Sequence, residues 1–145
     1  MSSSRPVVRL TRTARFSAAH RYHRADWSEE RNHRTFGANT QLHGHNYLIE
    51  LSLKGPVDPE TGMCADLARV DEILEHEVVS RLGGRDLSQE LDELPTTENL
   101  ALHVWRQVAT ALAASGARAA LERVRVYESP ELFVDYEGDE AKADP

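Results

Sequence analysis

Leu42-His43-Gly44-His45-Asn46-Tyr47-Leu48-Ile49-Glu50-Leu51-Ser52-Leu53 is the stretch on which the reading of this chain turns. It reads as a strand running from about His43 to Lys54. Side chains two apart on a strand share a face, so His43 and His45 project together while Gly44 leaves the opposite side open. Upstream, Phe16-Ser17-Ala18-Ala19-His20 closes another strand-like run. If the two strands pair, His20 supplies a third imidazole nitrogen. Three histidines leave one position of a tetrahedral zinc ion open, which is the arrangement of a catalytic site and not of a closed structural one. Cys64, the single cysteine, lies in an unrelated segment and is no obvious fourth ligand. A His-x-His pair also arises by chance, so taken alone the spacing leaves a functionless pair open.

Outward from that stretch, the 145 residues fit one domain with an ordered core of about 7–138, long enough to bury roughly two-thirds of the unfolded surface. Acidic residues outnumber basic ones 24 to 17, and the net charge of -7 argues against nonspecific binding to nucleic acid or to an anionic membrane. One cysteine excludes an intrachain disulfide and fits a reducing cytoplasm. Met1 to Arg12 is polar and basic, with no apolar run long enough for a signal peptide or a membrane span. A soluble cytoplasmic protein is the expectation.

Val8, Leu10 and Phe16 mark a first strand over Val7 to Phe16. Arg21 to Thr40 lacks clear periodicity and reads as a long polar insertion, of the sort that carries function in a compact domain. Asp58-Pro59-Glu60-Thr61-Gly62 is a turn, and a short strand is expected at Met63 to Ala65. Asp66 suits an N-cap, and Leu67, Val70, Ile73 or Leu74, and Val78 recur at helical spacing up to Leu82 before Gly83-Gly84 ends the helix. A second helix starts at Thr96-Thr97-Glu98-Asn99, buries Leu100, Val104, Val108, Ala111 and Leu112, and stops at Gly116. Alternating strands follow at Leu121 to Glu128 and Leu132 to Tyr136. The order β-β-α-α-β-β predicts an α+β architecture, a four-stranded antiparallel sheet with both helices on one face.

Phe16-Ser17-Ala18-Ala19-His20, Phe36-Gly37, His43-Gly44-His45-Asn46-Tyr47, Thr61-Gly62-Met63, Pro95-Thr96-Thr97-Glu98-Asn99 and Val126-Tyr127-Glu128 occur in order from about Arg12 to Gly138. Together they resemble the 6-pyruvoyl-tetrahydropterin synthase and 6-carboxytetrahydropterin synthase family. The resemblance implies the tunnel fold, a homo-oligomer (trimer or hexamer) with sites between subunits, zinc at His20, His43 and His45, and the pterin substrate 7,8-dihydroneopterin triphosphate. It implies that Glu128 anchors the pterin and that Thr96, Thr97 and Glu98 border the ring. A carboxylate suits the anchor, because the pterin edge offers adjacent ring N–H and amino donors that it accepts bidentately.

The proton relay departs from the family's pattern. The resemblance implies a cysteine thiolate in the loop after Phe-Gly, where this chain has Phe36-Gly37-Ala38-Asn39-Thr40-Gln41-Leu42, with Asn39 at the nearest position. An amide does not titrate in a useful range and cannot serve as that base. It also implies an Asp-His pair after the first helix, where Leu82-Gly83-Gly84-Arg85-Asp86 stands instead. Replacement bases are sought in the insertion among His23, Asp26, Glu29, Glu30 and His33, with Glu30 and His33 ranked first. Three functions are open: a zinc lyase giving a 6-pyruvoyl or 6-carboxy tetrahydropterin, a pterin enzyme that removes the side chain by a retro-aldol route, and a non-catalytic module binding a pterin or purine-like ring.

Overall fold

The computed structural model describes residues 4–138. Four strands, β1 (Val7–His20), β2 (His43–Pro56), β3 (Ala120–Ser129) and β4 (Leu132–Tyr136), form one antiparallel sheet in the order β1-β2-β3-β4. The sheet is a meander in space although long excursions separate β1 from β2 and β2 from β3. The first excursion holds α1 (Glu29–Phe36) and a 3-10 turn, Gly37–Thr40. The second holds α2 (Leu67–Leu74), a π-helical turn at Glu75–Val79, α3 (Ser80–Leu82), the short α4 (Leu87–Glu90) and the long α5 (Thr97–Ser115).

The period of two sorts the strands into faces. Phe16, Tyr47, Ile49, Leu51, Leu53, Val124 and Val126 turn one way and are buried against Val70, Ile73, Val78, Leu82, Leu100, Val104, Val108 and Leu112 of the helices. The other face is polar: Thr11 and Ser52 share a hydrogen bond of 2.9 Å, and Arg125 makes two bonds of 2.7 and 2.9 Å to Asp135. Helix starts follow side-chain capping. Asp66 accepts from the Ala68 N–H, and Thr96 accepts from the Asn99 N–H. Thr96 is therefore the cap of α5, while Thr97 is a buried residue of its first turn. Gly116, at φ 72°, closes α5 in the left-handed region that glycine takes without steric cost.

Two expectations change. Met63 to Ala65 forms no strand: no neighbouring strand offers a ladder, and local polar groups take the backbone bonds instead. The Asp58 carboxylate accepts from the Glu60 and Thr61 N–H groups, and the Asp58 N–H donates to the Met63 carbonyl. The insertion is not all loop either. Ser28 caps α1, the buried Asn32 binds both backbone groups of Arg24, and Trp27 stacks on Phe36 at 5.6 Å under the Arg31 guanidinium. These contacts substitute for the apolar stripe that the segment lacks. Leu67, at the start of the helix, is exposed. No helix among the described residues is long and apolar enough to cross a membrane.

Candidate metal centre

Strand register assembles the site. His20 pairs with His43, Ala18 with His45 and Phe16 with Tyr47, so three imidazoles crowd the helix-covered face at one end of β1 and β2. β3 runs beside β2 up to Leu48 opposite Tyr127, and the next residue, Glu128, reaches the same face. One nitrogen from each histidine and one carboxylate oxygen of Glu128 all lie within 4.8 Å of one another.

The hydrogen bonds fix which nitrogens are free. His20 Nδ1 lies 2.8 Å from the Pro95 carbonyl, and His43 Nδ1 lies 2.8 Å from the Gln41 carbonyl. A carbonyl only accepts, so both Nδ1 atoms carry the proton and both Nε2 atoms present lone pairs. Those lone pairs face each other at 2.9 Å. His45 Nε2 is buried without a hydrogen-bond partner, 3.0 Å from Glu128 Oε1, and the same oxygen is 3.3 Å from His20 Nε2. Converging lone pairs and a carboxylate repel unless a cation lies among them. Four ligand atoms about 2.0–2.2 Å from a tetrahedral zinc ion stand about 3.3–3.6 Å apart, close to these separations. The donor set therefore fits a divalent metal such as zinc.

Burial tunes the surroundings. His20 is fully buried, and burial first, then the neighbouring His43 and His45, hold its pKa below the usual imidazole range against the raising effect of the Pro95 carbonyl. A neutral imidazole is the form that ligates. Tyr22 stands edge-on to His20 at 4.9 Å, its pKa pushed up to about 12 by burial and then by the charges of Glu128 and Glu98. The Tyr47 hydroxyl, 3.3 Å from His20 Nδ1, is raised by the same order of causes, burial and then Glu128. Both tyrosines thus keep their protons at neutral pH. Sequence reasoning missed them, though Tyr22 follows His20 by two residues and Tyr47 continues the alternation of His43 and His45.

Of the other expected residues, Thr96 caps α5 directly after the Pro95 that holds His20, Thr97 is buried, and the exposed Glu98 lies close enough to act on Tyr22. Glu30 and His33 are exposed on α1 and do not belong to the four-donor group, and Glu30 pairs with Arg34 at 3.7 Å. His23 pairs with Glu29 at 2.8 Å, and Asp26 with Arg24 at 2.9 Å. Cys64 is a buried free thiol beside the Met63 turn. The Asn39 side chain is exposed, and its carbonyl accepts from the Tyr22 N–H at 2.7 Å.

Gly83 and Gly84 act through backbone alone. A Cβ on Gly83 would meet the Val79 carbonyl oxygen at 2.7 Å, and Gly84 has φ 72°. The Gly84 N–H donates to the Ser17 carbonyl at 2.7 Å and the Arg85 carbonyl accepts from Ala19 at 2.8 Å, which docks this segment along the free edge of β1. Asp86 is spent as the cap of α4. A cleft of about 580 Å³, lined in part by Gly44, His45, Gly84, Arg85 and Asp86, opens beside the cluster.

The family described as 6-pyruvoyl tetrahydropterin synthase matches residues 9–139. The chain belongs to that family. The 6-pyruvoyl tetrahydrobiopterin synthase of Drosophila melanogaster is 34% identical over 142 residues, covering 94% of this chain and 83% of the fly protein. The human protein of the same name is 32% identical, covering 91% and 92%. Among solved structures, the 6-pyruvoyl tetrahydropterin synthase of Caenorhabditis elegans superposes with a TM-score of 0.85 at 30% identity, covering 94% of this chain and all of the worm chain. A 6-pyruvoyltetrahydropterin synthase of Plasmodium vivax, described as a catalytic residue mutant in which a glutamate is replaced, shares the fold at 17% identity and a TM-score of 0.68, covering 90% and 97%. Membership makes this a pterin-synthase-like chain with the family's α+β sheet.

Proposed function

We propose that this chain is a zinc-dependent pterin lyase acting on 7,8-dihydroneopterin triphosphate to give a 6-pyruvoyl or 6-carboxy tetrahydropterin. The observation that carries the reading is the convergence of three imidazoles, two of them locked by backbone carbonyls with Nε2 free. Zinc, when bound, supplies Lewis acidity to the side-chain hydroxyls of the substrate and acidifies the neighbouring C–H bonds. His20, His43 and His45 hold it, and the Pro95 and Gln41 carbonyls keep the ligand tautomers. Glu128 accepts the ring N–H and amino group of the pterin, with Thr96, Thr97 and Glu98 along its border. The outer side of β4, which pairs with no strand among the described residues, supports a homo-oligomer, trimer or hexamer, with sites between subunits. The lone free cysteine suits a cytoplasmic setting.

A second reading, retro-aldol removal of the side chain, is favoured by Asn39, Gly83 and Gly84, which offer no titrating group where the relay belongs. A glutamate acting as a catalytic residue in the Plasmodium vivax relative supports an acidic base in either reading. Glu30 and His33 take that part only in a site shared between subunits, since both face outward in their own chain. The deciding experiment incubates zinc-loaded protein with 7,8-dihydroneopterin triphosphate and resolves the products by mass. Zinc-dependent release of triphosphate with a 6-pyruvoyl or 6-carboxy product supports the first reading. Departure of the side chain with its triphosphate supports the second. Binding without turnover overturns both and leaves a ring-binding module.

A further inference from the structure

The Thr61-Gly62-Met63 turn lies far from the metal centre, yet it is closed on itself by several bonds. The Asp58 N–H donates to the Met63 carbonyl at 2.9 Å, and the Gly62 N–H donates to the Asp58 carbonyl at 2.8 Å. The turn walls a cavity of about 450 Å³ between the end of β2, the start of α2 and the end of α5. Leu53, Val70 and Leu112, all buried, give it an apolar floor. Gly55 shapes another wall: a Cβ there would meet Ala119 Cα at 3.0 Å, so the chain beyond α5 lies close against β2. Small-molecule sites are commonly of about this size, mostly apolar with a few polar groups to orient the ligand. The polar groups here are charged. Arg5, Arg69 and Arg118 stand against two carboxylates, Asp58 and Asp66. Both carboxylates already accept from backbone, Asp58 from the Glu60 and Thr61 N–H groups and Asp66 from the Ala68 N–H. Arg118 reaches Asp58 only at 3.8 Å, and Arg69 reaches Glu72 at 3.5 Å, with the two arginine side chains 71% and 53% exposed. Ion pairs so exposed hold their partners weakly.

We propose that this cavity is a second ligand site, taking a small organic monoanion with a compact apolar body that ends in one carboxylate. The body covers Leu53, Val70 and Leu112, and the carboxylate is taken by the guanidinium groups at the rim, whose planar fork matches it bidentately. A single charge fits the rim: three guanidinium groups against two carboxylates leave one positive charge unmet. A phosphomonoester dianion would bring its second charge up against Asp58 and Asp66, and a cation would face all three arginines. In a chain of net charge -7 this is a local reversal of sign. Met63, 49% exposed at the turn, adds an unbranched side chain that repacks over ligands of different shape. Leu53 stands about 33 Å along β2 from His43, at about 3.3 Å per residue, so the site is independent of the metal and pterin reading.

Cys64 supplies the readout, because the chain's single cysteine lines this cavity and its thiol is free. The full-length protein is titrated calorimetrically with 2-naphthoate, which has the required charge and apolar bulk, and the reaction of Cys64 with the neutral reagent 4,4′-dithiodipyridine is followed alongside. The expected result is saturable binding of one equivalent, with the thiol reaction slowed about 10-fold when naphthoate stands at about ten times its Kd, in proportion to the sites left empty. 2-Naphthamide, of the same shape without the charge, should bind about 10-fold more weakly, and the double variant Arg69→Gln, Arg118→Gln should lose naphthoate affinity by a similar factor, that of one charge-assisted hydrogen bond. Both arginines are exposed, so this variant keeps its fold. Ala65→Phe, which enlarges a side chain lining the cavity, should abolish binding. Absence of saturable binding into the millimolar range overturns the proposal, as does equal affinity for acid and amide. Full binding by a folded Ala65→Phe variant puts the naphthoate elsewhere and overturns it too. A thiol reaction that slows with protein concentration alone, without naphthoate, means that a second copy of the chain covers the cavity, which likewise overturns a small-molecule site.

Discussion

Ser17 to His20 has two neighbours, and they treat it in opposite ways. On one side β2 answers it with side chains: His45 opposite Ala18 and His43 opposite His20, aimed into a shared space. On the other side Gly84 to Asp86 answers it with backbone alone, the Gly84 N–H and the Arg85 carbonyl, while the Asp86 side chain turns away to cap α4. The contrast separates two requirements of catalysis. Side chains that could hold a metal are fixed by a rigid sheet, whereas groups that move protons are more often carried on loops. Belonging to the family therefore secures the fold and a pterin-synthase-like framework more firmly than the reaction carried out on it.

The largest effect expected is on the side-chain neighbour. His45→Ala should leave the protein folded, since His45 is not part of the apolar core, and should weaken zinc binding by more than the roughly 100-fold that loss of an outer-shell partner reaches. Metal content after dialysis, beside a thermal melt of the metal-free protein, checks it; retention of stoichiometric zinc would dissolve the contrast. Next comes an attempt to restore the relay. Gly83→Asp forces a Cβ against the Val79 carbonyl oxygen, whose helical backbone cannot give way cheaply, and should cost about 1–3 kcal/mol. Gly84→His places a side chain at φ 72° and should cost about 1–2 kcal/mol. Urea denaturation midpoints measure both. If either substitution proves neutral, the backbone is not what excludes an Asp-His pair here.

Much of this framework was legible because it depends on local periods. Alternation on β1 and β2 put the three histidines on one face, and Asp66, Thr96 and Gly116 marked helix ends by chemistry confined to a few residues. What escaped was set by distant or backbone groups. The Pro95 and Gln41 carbonyls that orient His20 and His43 have no side-chain signature, and the meeting of Glu128 with His45 depends on the register of β3 against β2. Helix α1 escaped for another reason: its stabilising contacts are a cap, a buried amide and an Arg-aromatic stack, so it has little apolar stripe to betray it. Met63 to Ala65 carried strand-like residues but no partner strand, and a strand exists only where a ladder can form.

A smaller change tests whether scaffold and site can be separated. Thr96→Ala removes the hydroxyl that accepts from the Asn99 N–H and should cost about 1 kcal/mol, read as a lower urea midpoint. The Leu100 N–H still bonds the Thr96 carbonyl, so the start of α5 stays where it is. The Pro95 carbonyl should then still hold His20, with zinc affinity unchanged. A loss of zinc affinity in step with the loss of stability would mean that the cap belongs to the metal centre as well as to the helix.

The smallest expected effect concerns His103, a histidine on α5 outside the donor group. Burial first, then Arg106 and Arg81, push its pKa below the usual imidazole value, against the opposing pull of Glu93 and Asp92. The unfolded chain therefore takes up this proton at a higher pH than the folded chain does. Stability from His103 is fully present above the unfolded imidazole pKa of about 6.5 and is lost as pH falls through the lower folded value. His103→Gln should flatten that part of the acid limb and leave the neutral plateau in place, seen by urea midpoints of metal-free protein between about pH 5 and 8. His20 is shifted in the same direction and remains in the variant, so a residual slope is expected. A variant with the full native slope would assign the acid sensitivity to His20 and not to His103.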